Sequence, residues 1–315
     1  GTENADQNQR PSATPADTPD TGPRATNSGL IVPLDDTFEV ALPANDDGST
    51  AAIDLGFDFN FYGTIQNSVY INNNGNLSFG APQSAFTAVG FPSSSFVMVA
   101  PFWGDVDTRA DGSGVVYFRL DEAENRLIVT WHQVGYYSSQ DDKLNTFQAI
   151  LSTKEDPLTT VGKNVCLAYG DMQWTTGSAS GGTNGFGGTP ATVGLNKGDG
   201  TTFAQLGRFD EPGDAYDGPS GDSDGIDYLD GRQVCFDATQ DTNLPPVVSE
   251  NPSSPVEVQP LETVEGSVRL IGPENDQTVS LEVDADVPNF TADVTDGNPA
   301  IATFSFSPTA EQTGQ

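Results

Sequence analysis

Ile53-Asp54-Leu55-Gly56-Phe57-Asp58-Phe59-Asn60-Phe61 puts an apolar side chain at every second position over nine residues, the period of a strand with one buried face. Wound as a helix, the same residues would scatter around the axis and bury no common stripe. The stretch therefore reads as a β-strand whose Leu and Phe face packs on a core, and the same grammar extends to both sides. Upstream, Thr37-Phe38-Glu39-Val40-Ala41-Leu42 alternates until Pro43-Ala44-Asn45-Asp46-Asp47-Gly48 breaks it with turn residues. Downstream, Val69-Tyr70-Ile71 and Leu77-Ser78-Phe79 flank Asn72-Asn73-Asn74-Gly75-Asn76. The Asn-Gly pair there predicts a hairpin, because both residues tolerate positive φ.

A second hairpin is expected where 115–120 turns through Asp121 to Asn125 into 126–131, and a further strand pair at 146–151 and 165–169. No helical pattern of ten residues intervenes. With 34 Gly and 22 Pro in 315 residues, the chain reads as all-β and antiparallel, rich in turns.

Lys and Arg number 12 against 45 Asp and Glu, a formal net charge of −33. Such a surface repels nucleic acid and anionic membranes, which need Lys and Arg to neutralise phosphate. It keeps a secreted protein soluble and attracts divalent cations. Disorder is not the expected reason for the acidity, since 18 Phe, 8 Tyr and 3 Trp suffice to build cores. No apolar run reaches the roughly 18 residues that suggest a spanning helix.

The uncharged run Phe96-Val97-Met98-Val99 leads into Ala100-Pro101-Phe102-Trp103-Gly104-Asp105-Val106-Asp107-Thr108-Arg109. Strand alternation, if it persists that far, sets Asp105 and Asp107 on one face, where their like charges call for Arg109, a cluster of backbone N–H groups or a metal ion. Farther on, Asp222, Asp224 and Asp227 lie on the Gly-rich acidic stretch 210–230. These carboxylates are the hard oxygen ligands that calcium prefers, without the flanking helices or closing Glu of an EF-hand. At both places solvated acids, with Arg109 capping the first, are the leading reading, and calcium is the possible cofactor. Cys166 and Cys235, each in a short apolar stretch, suggest one disulfide between two strands; two buried free thiols are the alternative. Structural zinc is not expected, since His132 brings the ligand count only to three.

Six motifs occur in a characteristic order: Gly56-Phe57 to Tyr62-Gly63; Val69 through Phe79; Ala100 through Arg109; Asn145-Thr146-Phe147-Gln148; Tyr169-Gly170 to Trp174-Thr175-Thr176-Gly177; and Val193-Gly194-Leu195-Asn196. In this order they resemble the NIDO domain, the extracellular domain family of nidogen. The resemblance implies an antiparallel β-sandwich-type domain over 29–239, extracellular or at the cell surface, serving adhesion or cell–matrix interaction and carrying no catalytic residues. Laminin or collagen binding is not implied, because the accompanying growth-factor-like modules and propeller are missing from this sequence.

Residues 1–28, rich in Pro, Thr and Asp with no aromatic residue, read as a disordered linker. After Asn243-Leu244-Pro245-Pro246, the stretch 244–315 alternates again and resembles a bacterial immunoglobulin-like surface repeat. It is shorter than the roughly 100 residues of a full sandwich and reads as lacking its last strand, either by truncation or because a neighbouring copy donates a strand to the open edge. One His, no Gly-x-Ser-x-Gly elbow and no phosphate loop argue against an enzyme. The expected partner is an extracellular protein or a glycan. A carbohydrate-binding module is the rival reading, with Trp103, Trp174, Tyr136 and Tyr137 as stacking platforms.

Overall fold

The computed structural model describes residues 29–239, 247–250 (backbone only), 262–271, 279–283 and 287–309; the expected linker 1–28 lies outside them. The described residues are all-β, with antiparallel sheets and only short 3₁₀ turns.

The strands are β1 (Glu39–Leu42), β2 (Ile53–Phe61), β3 (Thr64–Asn72), β4 (Asn76–Ser78), β5 (Met98–Trp103), β6 (Val116–Asp121), β7 (Arg126–Tyr136), β8 (Gln140–Ser152), β9 (Val165–Tyr169), β10 (Ala191–Asn196), β11 (Phe203–Glu211), β12 (Asp224–Gly225), β13 (Gln233–Phe236), β14 (Val247–Glu250), β15 (Val264–Ile271), β16 (Phe290–Thr295) and β17 (Ala300–Phe306). One six-stranded sheet runs β1-β6-β7-β8-β9-β13, a seven-stranded sheet runs β12-β11-β10-β5-β4-β3-β2, and the C-terminal strands form β14-β15-β17-β16. The opening stretch is β2, and Leu55, Phe57, Phe59 and Phe61 are its buried face.

The first two sheets pack face to face. Phe102 of β5 lies 5.5 Å, centroid to centroid, from Phe147 of β8, and Phe147 stacks on Trp131 of β7 at 5.0 Å. Both sheets are also covered on their outer faces. Ala88 and Phe91 cover Met98, Ala100 and Trp103, while Phe38 with Ile31, Val32 and Leu34 covers Ile128 and Ile150. This is why β5 and β9 are buried at every position and read as apolar runs rather than alternations.

A register shift between Thr192 and Gly194 sets three residue steps of β5 against two of β10. Pro101, which has no N–H to give the ladder, sits in this bulge. Phe102 thereby turns into the inter-sheet core and Trp103 to the outer layer. Strand β5 ends there, and only the isolated bridge Val106–Tyr136 continues past it.

Cys166 and Cys235 form the expected disulfide across directly opposed positions of β9 and β13, with Cα atoms 4.1 Å apart. Against the N-terminal domain, Arg269 of β15 donates to the carbonyl of Tyr216 and lies over its ring, and Ile271 is buried in the main core.

Candidate functional site

Asn73-Asn74-Gly75 connects β3 to β4, with Asn72 opposite Asn76. Of the three, only Gly75 has positive φ, at 75°. The connection is therefore a three-residue loop closing on a left-handed glycine, not the two-residue turn in which Asn and Gly both take positive φ. Hairpin turns ordinarily sit at the surface, yet Asn72, Asn73, Asn74 and Asn76 are all buried.

Apart from Asn74 Oδ1, their amides are spent on the protein itself. Asn72 Nδ2 donates to Asn76 Oδ1 at 2.8 Å and Ser78 Oγ at 2.9 Å, while its Oδ1 accepts from Ser49 Oγ and the Gln83 amide. Asn73 Nδ2 donates to the carbonyls of Val106, at 2.7 Å, and Asp46. The Trp131 indole donates to the Asn73 carbonyl at 3.0 Å.

The turn 45–48 is laced to the same place. Asn45 Oδ1 accepts from the Gly48 amide at 2.8 Å, the Gly48 carbonyl accepts from the Asn73 amide at 2.8 Å, and the Asn45 carbonyl accepts from the Thr108 amide at 2.9 Å. Three segments distant in sequence, 45–48, 73–76 and 104–108, thus meet at one point. Asp46, Asp47 and Asp105 bring carboxylate oxygens within 4.8 Å of one another there. Gly177 leaves room for this, since a Cβ on it would stand 2.5 Å from Asp105 Oδ2.

The two carboxylates expected on one face meet different fates. Asp107 is buried, which opposes its charge, but Arg109 grips it through Nε to Oδ1 at 2.8 Å and Nη2 to Oδ2 at 2.6 Å, and the Ser139 amide donates to it at 2.7 Å. These bonds outweigh burial and hold its pKa below the ordinary carboxylate value. Asp105 is 2% exposed. Burial, then the charges of Asp46, Asp47 and Asp107, push its pKa up to about 7. Arg109 also reaches Asp46 Oδ2 at 3.0 Å, but one guanidinium faces four carboxylates.

In the acidic stretch 210–230, Asp222 is an exposed partner of Arg208, at 2.9 Å. Asp224 is fully buried and accepts from the amides of Arg208 at 3.1 Å and Asp217 at 2.9 Å. Asp227 lies within the 3₁₀ turn Ile226–Leu229 and donates its amide to the Gly213 carbonyl at 2.9 Å. Among the described residues, Asp46, Asp47 and Asp105 are the one group of three carboxylates with converging oxygens, and Asp222, Asp224 and Asp227 stand apart from it. Asp46 and Asp47 were legible only as turn residues.

These environments give stability a definite pH dependence. Burial holds Asp224, with the Asp217 carboxyl beside it, above the unfolded value of 3.8. The folded chain keeps a proton that the unfolded chain releases, so this contribution is present below that value and lost as pH rises toward the raised pKa. For Asp199 burial also opposes the charge, but bonds from Thr202 and Thr201 bring it down to about 2. Its contribution is present above 3.8 and lost as pH falls toward 2. In chelator-treated protein, Asp224→Asn is expected to remove the loss of stability that this group brings as pH rises from about 4 toward neutrality. A melting-temperature profile from about pH 4 to 7 with the same slope in the parent and in Asp224→Asn would contradict this assignment.

Trp103, Trp131 and Trp174 are all 0% exposed, so none offers a ring face to a sugar. Tyr136 is also buried, and its hydroxyl donates to Asp142 at 2.8 Å. His132 is half-buried, packs edge-on against Tyr117, and has its pKa lowered by burial.

The NIDO-related family matches residues 24–215, which takes in β1 to β11 and all three segments of the site. The chain belongs to the NIDO-related family. Mouse (Mus musculus) alpha-tectorin is 35% identical over 191 residues, 52% of this chain and 8% of its own length. Nidogen of Drosophila melanogaster is 29% identical over 161 residues, covering 43% of this chain and 12% of its own. Mouse nidogen-1 is 30% identical over 144 residues, covering 36% and 12%. The chain thus spans about a tenth of the length of these relatives. No solved structure matches it. Membership of this family places the chain outside the cell. None of its described helices is long and apolar enough to cross a membrane.

Proposed function

We propose that this NIDO-related chain is an adhesion module that binds another protein of the extracellular matrix or cell surface through the outside of its two-sheet domain, with no catalytic step. The observation that carries this reading is the family match over residues 24–215, together with 35% identity to alpha-tectorin over 191 residues. The net charge of −33 favours a partner with a basic contact face and an on-rate that falls with salt. The C-terminal strands β14 to β17 are read as an immunoglobulin-like unit that spaces the domain, with an edge strand open to a neighbouring copy.

The test is immobilised chain presented to a panel of matrix proteins and, separately, to a glycan array. Saturable binding to a protein, weakened by salt, is the expected result. Glycan binding without protein binding would replace this reading with the carbohydrate-binding one, and turnover of any matrix polymer would replace it with an enzymatic one.

A further inference from the structure

We propose that Asp46, Asp47, Asp105 and Asn74 form a binding site for calcium at the seam of the turn 45–48, the β3–β4 loop and the segment after β5. The carboxylate cluster alone would not carry this, since acids gather on many acidic surfaces. What carries it is a set of buried oxygens with no hydrogen-bond donor at the same place. Asn74 is 1% exposed. Its Nδ2 donates to Asp47 Oδ1 at 2.8 Å, which fixes the amide against the cluster, while Oδ1 of that amide is buried without a partner. Asp105 Oδ2 and Asp46 Oδ1 are likewise buried and unpartnered.

Leaving buried acceptors bare on three residues of one cluster is costly, because each has lost water without gaining a donor. Everywhere else in this region the amides are used to the full, so these vacant acceptors mark one location. A cation bound there satisfies all three at once and offsets the excess of four carboxylates over one guanidinium.

The ligand chemistry favours calcium. All the donors are oxygens, three of them carboxylates, and they come from irregular turns rather than an octahedral cage, an arrangement calcium accepts and magnesium disfavours. Asp47 is exposed, so the site opens to solvent on one side, where water completes the coordination. Bound calcium would clamp the turn 45–48 to the loop that feeds β4. The inference rests on these side chains alone and stands whichever partner the domain binds.

The experiment uses the full chain freed of metal with a chelator. Terbium is the first probe, because Trp131 donates to the Asn73 carbonyl and is placed to sensitise an ion bound beside Asn74. Saturable luminescence that calcium displaces is expected. Calcium at about a hundredfold above its dissociation constant should raise the melting temperature by about 5–10 °C. Asp47→Asn, an exposed change that leaves the core alone, should weaken binding by about tenfold or more, and Asp105→Asn should abolish it. Asp222→Asn should leave it unchanged. Absence of displaceable luminescence in the parent chain overturns the site, as does retention of affinity in Asp47→Asn or its loss in Asp222→Asn. Should Asp105→Asn fail to fold, the other two variants decide.

Discussion

Gly75→Ala is expected to destabilise the domain by about 4 kcal/mol, roughly 1 from the left-handed backbone and up to 3 from overpacking. Gly75 sits at φ +75°, and a Cβ there would stand 1.7 Å from the Phe102 carbonyl oxygen and 2.8 Å from its carbon. Neither obstacle is the end of a flexible side chain. Phe102 lies in β5 and donates its amide to the Gly75 carbonyl at 3.2 Å, so the loop cannot back away without breaking that bond. Moving Phe102 instead would disturb its contacts with Phe147 and Trp174, both at 5.5 Å. Gly80 supplies the control: it has φ +82° and nothing within 4 Å of its would-be Cβ. Gly80→Ala should lose only the backbone part, about 1 kcal/mol. Thermal melts of the two variants test the argument, with a drop of about 10 °C for Gly75→Ala and about 3 °C for Gly80→Ala. Equal drops would mean that close approach to Phe102 contributes nothing.

Removing the disulfide with the double change Cys166→Ala and Cys235→Ala should cost about 4 kcal/mol. The bond closes a sequence separation of 69 residues, and the chain-entropy relation gives about that figure for such a loop. Cys166 is buried between β8 and the segment around Leu158, while Cys235 is half-buried on an edge strand, so the two small cavities add little. Denaturant titrations of the parent and the double variant give the difference directly. A loss under about 1 kcal/mol would show that β13 is held by its hydrogen bonds and packing rather than by the bond to β9.

How much was legible differs from element to element. Strand β2 was plain because alternation over nine residues has no helical reading, and β7, β8 and β9 followed from apolar runs bounded by turns. The disulfide was suggested by two cysteines in strand-like contexts, and the structure sets them opposite each other. The asparagines were readable as a turn but not as buried groups, since their burial comes from Asp46, Val106 and Trp131, which no local pattern brings near. Asp105 was singled out for its neighbour Asp107, but its company is Asp46 and Asp47. Pairing across long separations is set by sheet order, and sheet order leaves no trace in a short window. The Pro101 bulge hides Phe102 in the same way, because strict alternation would have turned it outward.

The position of the disulfide also sets how this domain bears load. The segment after β13 is held at Ala238 and Thr239, whose carbonyls accept from the amides of Tyr62 and Gly63. A pull from the C-terminal side, once it has freed Arg269 from Tyr216 and Ile271 from the core, would break those bonds and then peel β13 from β9 one residue pair at a time, starting at Phe236 opposite Val165. The next pair is Cys235 with Cys166. Unzipping halts at a covalent stop after the four residues 236–239, roughly 13 Å of released chain at about 3.3 Å per residue. The force then passes into β9, which is hydrogen-bonded to β8 on its other side and buried at every position. Under tension such a domain would yield a short length of slack and then carry the load through the disulfide into the six-stranded sheet.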